Sequence, residues 1–179
     1  MSPEPSFNLI EHLKERHLNI DLHKPILDLE TNTCTFILYS FSGVLTGYQQ
    51  YKPLSDKKPF NHPKLSRYYT YKSKSIVSVW GLESLIAFGG PIFICEGIFD
   101  AARFTKRGIA AIATFTNNPP NDYKNWLDCI PRKKIVICDN DSSGLKLRKL
   151  SDNYEVVDGY KDLGEADEDY ITYLILKYK

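Results

Sequence analysis

No run of apolar residues in this 179-residue chain approaches the roughly 18–20 needed to cross a bilayer, so no membrane span is expected. The opening stretch, MSPEPSFNLIEHLKERHL, has no basic segment leading into an apolar core. It is therefore not a secretory signal, and a cytoplasmic location is expected. No two cysteines form a CxxC pair. Cys34, Cys95, Cys129 and Cys138 are scattered, which excludes a zinc ribbon. Three of them sit in apolar, strand-like runs and read as buried thiols rather than a disulfide framework. No GxxxxGK[ST] loop occurs, so no P-loop ATPase is fused to the chain. No repeat and no low-complexity linker stands out. Net charge is also scarce, at +1, but that total hides a segregation. From Gly43 to Ser75 there are seven Lys or Arg against one acid, Asp56; from Ser151 to Lys179 there are eight acids against three lysines. A divided surface follows.

What is present is enough apolar and aromatic sequence for a packed core. Phe7 to Leu18 has near-helical apolar spacing, with Ser6 as its expected cap. TCTFILYSF (Thr33–Phe41) reads as a strand and GVLTGYQQYKPL as its hairpin partner. The following segment to Ser75 is basic and proline-broken, and reads as a loop or irregular edge. A short helix is expected around Leu82–Phe88. Beyond Gly89-Gly90 the texture changes. PIFICE, IAAIATF, KKIVICD and YEVVDG read as short strands. GIFDAARFTKRG, DYKNWLDCI, SSGLKLRKLSDN and EADEDYITYLILKYK read as helices between and after them. Strands alternating with helices specify a mostly parallel sheet covered by helices, with its ligand site at the carboxyl ends of the strands. The boundary of the expected subdomains lies at Gly89: residues 1–89 form a small basic α+β unit, residues 90–179 an α/β unit of Rossmann type.

Two of these strands end in acid. PIFICEGIFD places Glu96 at a strand end with Asp100 four residues on, and KKIVICDNDSSG places Asp139 and Asp141 at another. If those strands are neighbours, the acids meet at one edge. On a continuing strand, positions i and i+2 share a face, so Asp139 and Asp141 would point the same way. Clustered carboxylates repel, and one is forced to take a proton unless a hard divalent cation, such as Mg²⁺, lies among them. A DxD can equally be a loop whose side chain caps a helix.

Glu-Gly at one strand end and DxD at a later one resemble the TOPRIM domain of DnaG-type primases, topoisomerases and some nucleases. The resemblance covers about half the chain, from Pro91 onward. The preceding basic hairpin region and the Trp80-Gly81 turn are similar to the region upstream of that domain in phage primases and the primase half of phage primase-helicases. Lys161, Asp162 and Glu165 resemble a looser acidic segment of the same family. The resemblance implies that Glu96, Asp139 and Asp141 hold Mg²⁺ or Mn²⁺, with Asp100 supporting them or holding a second ion. It implies a DNA primase core that makes short RNA from nucleoside triphosphates on a single-stranded DNA template. A TOPRIM nuclease, or a non-catalytic nucleic-acid-binding protein of this fold, stays open as an alternative. The chain encodes no zinc module of the kind such primases carry. Start-site selection is therefore expected to need a partner, a replicative helicase or a separate zinc-containing protein. TNNPPND also replaces the glycine-containing turn that primases tend to carry.

Lysines of the basic block alternate with Tyr48, Tyr51, Phe60, Tyr68, Tyr69 and Tyr71. Cations hold phosphates and aromatic faces stack unpaired bases. Lys58, Lys64, Arg67 and Lys72 are the expected phosphate contacts, and His62 is expected to be solvent-exposed without an acid–base role.

Overall fold

The protein is described by a computed structural model over residues 7–57, 62–160 and 162–179. Ser6, Lys58, Phe60 and Lys161, which carry expectations above, lie outside the described residues. Two short helices open the fold, α1 (Leu9–Glu15) and α2 (Ile20–His23). The long helix expected to Leu18 is broken because His17 takes a left-handed conformation, φ 64°. Its cap is Asn8, whose side chain accepts from the N–H groups of Ile10 and Glu11.

Strands β1 (Ile26–Asp28), β2 (Thr33–Tyr39), β3 (Leu45–Tyr51) and β4 (Tyr68–Lys72) follow and pair antiparallel in that order. The β2–β3 hairpin is as expected. Strand β4 is a correction, because it lies in the segment read as irregular. Tyr68-Tyr69-Thr70-Tyr71 is a run of strong strand formers, and pairing with β3 outweighs the basic, proline-containing surroundings.

The second half alternates. Helix α3 (Leu82–Ala87), β5 (Ile92–Cys95), α4 (Ile98–Thr105), β6 (Ala111–Ala113), α5 (Asn121–Asp128) and β7 (Lys134–Cys138) lead to a 3-10 helix (Gly144–Leu150). Strand β8 (Tyr154–Val156) and helix α6 (Glu168–Tyr178) complete it. The segment after the DxD was expected as an α-helix and is 3-10 instead. The sheet is parallel, in the order β6-β5-β7-β8. This is the expected α/β class: a TOPRIM-like, mostly parallel sheet flanked by helices and preceded by a small α+β unit. Among the described residues, no helix is long and apolar enough to cross a membrane.

Strands β5 and β7 are buried on both faces, which explains their unbroken apolar sequence. Phe93, Cys95, Ile135 and Ile137 enter one core; Ile92, Ile94, Val136 and Cys138 enter the other. The first core also holds Leu9, Leu13, Phe36, Leu38 and Tyr51, so α1 and the antiparallel sheet share it with the parallel one. Val79 and Trp80 link the two sheets directly. Val79 exchanges backbone hydrogen bonds with Tyr39 at the end of β2, and Trp80 does the same with Ala113 of β6.

Helix α3 is fixed to that seam by Ser84, which is fully buried. Its hydroxyl accepts from the Ala111 N–H at 3.0 Å and lies 2.7 Å and 2.8 Å from the carbonyls of Gly81 and Ala111, one of which accepts its single proton. Ser84→Ala leaves a buried N–H without that partner, which costs about 1–3 kcal/mol. The expected outcome is a lower urea midpoint at unchanged m-value. An unchanged midpoint would contradict this role.

Candidate active site

Strands β5 and β7 are hydrogen-bonded neighbours in parallel register, with Ile94 opposite Val136. Glu96 and Asp139 therefore leave the same edge of the sheet. The chain enters α4 immediately after Glu96-Gly97, which puts Asp100 in that helix's first turn, where the helix dipole favours an acid. Gly97 leaves the space this needs, because a Cβ there would come within 2.7 Å of the Asp100 carboxylate. Gly144 does the same for the second acid. A Cβ there would lie 2.6–2.9 Å from Asp139 backbone N and O and from its Cβ.

The electrostatics follow from this crowding. The Glu96 carboxyl is pushed up from its ordinary range by burial first, then by Asp139 and Asp141. Asp100 rises to about 7, again through burial first, then through Asp139 and Asp162. The Arg16 guanidinium opposes that rise. The Cys95 thiol, beneath the acids, is held well above its usual range by burial, Asp100 and Asp139.

Asp141 arrives differently from expectation. Strand β7 ends at Cys138, and the Asp141 N–H donates to the Asp139 carbonyl at 2.8 Å, so the chain turns rather than continues. The i, i+2 rule for a strand does not hold here. The exposed Asp141 carboxylate accepts from the Gly144 N–H at 2.6 Å at the start of the 3-10 helix. Asp141 thus fixes the loop as well as contributing charge to Glu96.

Two groups are closer to this site than the sequence indicated. Asp162 lines the same cleft as Asp100 and Asp139, a cavity of about 240 Å³. Its loop is pinned by Arg103, a buried arginine on α4. Arg103 Nη1 donates to the carbonyls of Leu163 (2.7 Å) and Ala166 (2.5 Å), and Nη2 pairs with Glu168 at 2.8 Å. Arg16 lines the cleft from the end of α1, its guanidinium 4.0 Å over the Phe99 ring. Its Nη1 donates to the hydroxyls of Tyr51 (3.3 Å) and Tyr68 (3.4 Å). Glu165 is exposed.

The carboxylate oxygens suit a hard divalent cation, whose charge would offset the burial and mutual repulsion that raise Glu96 and Asp100. The arrangement is open: among the described residues, no three His, Cys, Asp or Glu side chains stand close enough to enclose one ion.

The basic residues divide. Lys72 is half-buried, and its amino group donates to the Phe115 carbonyl at 3.3 Å. Phe115 in turn donates its N–H to the Glu96 carbonyl at 2.9 Å. Burial draws the Lys72 pKa down. It lines a larger cleft of about 640 Å³ with Lys74, Thr116, Asp122 and Tyr123. Arg67 instead holds a loop, with Nε donating to the Ser55 carbonyl at 3.0 Å. Lys64 and His62 are exposed.

No family model matches the sequence. The uncharacterized protein MG010 of Mycoplasma genitalium is 33% identical over 129 residues, 69% of this chain and 55% of that protein. The chain thus spans about half the length of the curated relative it matches. Among solved structures, the DnaG catalytic core superposes with a TM-score of 0.69 at 14% identity, over 97% of this chain and 74% of that one. The zinc-binding and RNA polymerase domains of Aquifex aeolicus primase give a TM-score of 0.65 at 15% identity, over 94% and 54%. A DnaG primase catalytic domain bound to single-stranded DNA gives 0.60 at 15% identity, over 91% and 61%. The chain has the fold of the DnaG primase catalytic core.

The Asp100 shift has a sign that can be tested. Its carboxyl is pushed up to about 7 in the folded protein, against about 4 for an aspartate in an unfolded chain, so between these values the folded state keeps a proton that the unfolded state releases. This contribution to stability is therefore lost as pH rises from about 4 to 7 and is level above. In EDTA, the melting temperature of the parent relative to Asp100→Asn should fall across that window. Parallel profiles for the two proteins would contradict the assignment.

Proposed function

We propose that this chain is the catalytic core of a DNA primase, which joins nucleoside triphosphates into short RNA on a single-stranded DNA template. The observation that carries this reading is the meeting of Glu96 and Asp139 at one sheet edge, with Asp100 and Asp162 in the same cleft, on the fold of the DnaG catalytic core. Glu96, Asp139 and Asp141 are the residues that would hold Mg²⁺ or Mn²⁺, supported by Asp100 and Asp162. The bound ion would lower the pKa of the attacking 3′-hydroxyl and neutralise phosphate charge.

The chain's own groups carry the rest. Arg16, fixed by two tyrosine hydroxyls and a phenyl ring, presents a preorganised cation to a triphosphate in the acidic cleft. Lys72 lines the larger cleft, whose volume of about 640 Å³ suits a nucleotide or a template base, and is tied through Phe115 to the backbone of Glu96. Partial burial makes its charge more effective toward a phosphate. Lys58, Lys64 and Arg67 would contribute phosphate affinity without sequence information. Start-site choice would then rest with a partner, a replicative helicase or a separate zinc-containing protein.

The test is incubation with labelled nucleotides, Mg²⁺ and single-stranded DNA. New short RNA supports the reading. Shortened DNA means that the same carboxylates serve a nuclease, and no product of either kind means a binding protein. Glu96→Gln and Asp139→Asn should each abolish synthesis while the melting temperature without metal holds or rises, because each removes repulsion. Outright unfolding of these variants would make the acids structural instead.

A further inference from the structure

The antiparallel sheet has two unlike faces. Side chains alternate along a strand, so residues two apart share a side. On the inner side, Phe36, Leu38 and Tyr51 are buried, and Gln49 and Tyr68 line the acidic cleft. On the outer side the register sets Tyr48 opposite Tyr71 and Gln50 opposite Tyr69 on neighbouring strands. The Tyr48 ring lies 5.7 Å from that of Tyr71 and 6.3 Å from that of Tyr69, a continuous aromatic surface. Tyr71 is 60% exposed. The aromatics read together in sequence are therefore split: Tyr51 and Tyr68 face inward, and these three face away from the candidate active site.

Charge on this side is mostly positive near the tyrosines; the register also places an acid, Asp28, on this side, but on β1, two strands from β3. The Lys52 N–H donates to the Arg67 carbonyl at 2.8 Å, one rung beyond the Tyr51–Tyr68 pair, which brings Lys52 and Arg67 to the end of the tyrosine rows. Lys52 Nζ donates to the Lys64 carbonyl at 2.7 Å, which brings Lys64 to the same edge. Asp56 is the one acid between Gly43 and Ser75. Tyrosine rings beside clustered cations match a strand with unpaired bases and a phosphate backbone. They match an acidic or apolar protein surface less well, because the rings are polar-tipped and the cations sit at the rim.

We propose that the outer face of this sheet, at Tyr48, Tyr69 and Tyr71, binds single-stranded nucleic acid by stacking unpaired bases on its rings, with Lys52, Lys64 and Arg67 along the phosphates. The proposal rests on the nucleic-acid reading of the preceding section but not on catalysis. It places a second track on the far side of the sheet from the acids, where a template or product strand is held while the cleft works.

The test is fluorescence anisotropy of a labelled oligothymidylate in EDTA without nucleotides, over a range of salt. Tyr48→Ser/Tyr69→Ser/Tyr71→Ser should weaken binding at least about tenfold with an unchanged slope of log affinity against log salt, because stacking releases no counterions. The corresponding triple Phe variant should bind like the parent. Tyr71→Ser alone, at the most exposed ring, should weaken binding several-fold and guards against loss of the triple variant to misfolding. Parent-like affinity in a folded Ser variant, or no binding by the parent, overturns the proposal. So does a change in sedimentation with unchanged DNA affinity, which would make the face a contact between copies of this chain. A parent that primes while its folded Ser variant keeps full affinity overturns this proposal and leaves the proposed function standing. Tyrosine-dependent binding without synthesis does the reverse.

Discussion

Like-charged groups held together in a half-buried cleft are the constraint around which this protein is arranged. Adjacency of β5 and β7 brings Glu96 and Asp139 to one edge, and the start of α4 adds Asp100. Left alone, carboxylates so placed would take up protons or move apart. Burial favours the first, most of all at Asp100, and the surrounding structure resists the second. Gly97 and Gly144 admit side chain and backbone at distances no other residue allows. Arg103 ties the Asp162 loop to α4 through two carbonyls, so the same helix that presents Asp100 also anchors its neighbour. Among the described residues that line the cleft, Arg16 is the one that brings opposite charge, and it is held by ring stacking and two hydroxyls rather than by a carboxylate. That leaves its charge available to a ligand.

The antiparallel sheet serves this arrangement from one side and turns a different surface to solvent on the other. It is locked to the parallel sheet through Val79 and Trp80, and α1 crosses into the shared core with Leu9 and Leu13. Arg16, at the end of α1, is thereby held over the ring of Phe99, the residue before Asp100. This coupling explains why the basic half cannot be read as an independent appendage: its inner face completes the acidic cleft through Gln49 and Tyr68.

Much of this was legible in the sequence wherever a signal was local. Apolar runs that stop at Glu96 and Asp139 state both a strand and the end at which its ligand sits, and a helix pattern after Gly97 puts Asp100 in a first turn. Signals spread over distance were lost. Arg16 follows a helix with nothing nearby to mark it, and only packing of α1 against Phe99 brings it to the acids. Asp162 lies in a loose acidic tail and depends on Arg103, whose helical position gave no hint of a buried side chain with carbonyl partners. Asp141 was assigned by strand alternation, but a turn begins one residue after β7 ends, and hydrogen bonding within the loop outweighs strand continuation. Composition hid β4, because lysines and prolines around it masked four strand-forming residues.

The claim that these carboxylates form a site for a divalent cation is tested most directly by thermal melting at neutral pH with and without Mg²⁺, in the parent and in Asp139→Asn. A ligand that binds the folded state alone stabilises it by mass action, so Mg²⁺ should raise the melting temperature of the parent and raise that of Asp139→Asn much less. Equal shifts in both proteins would place the ion elsewhere and contradict the assignment.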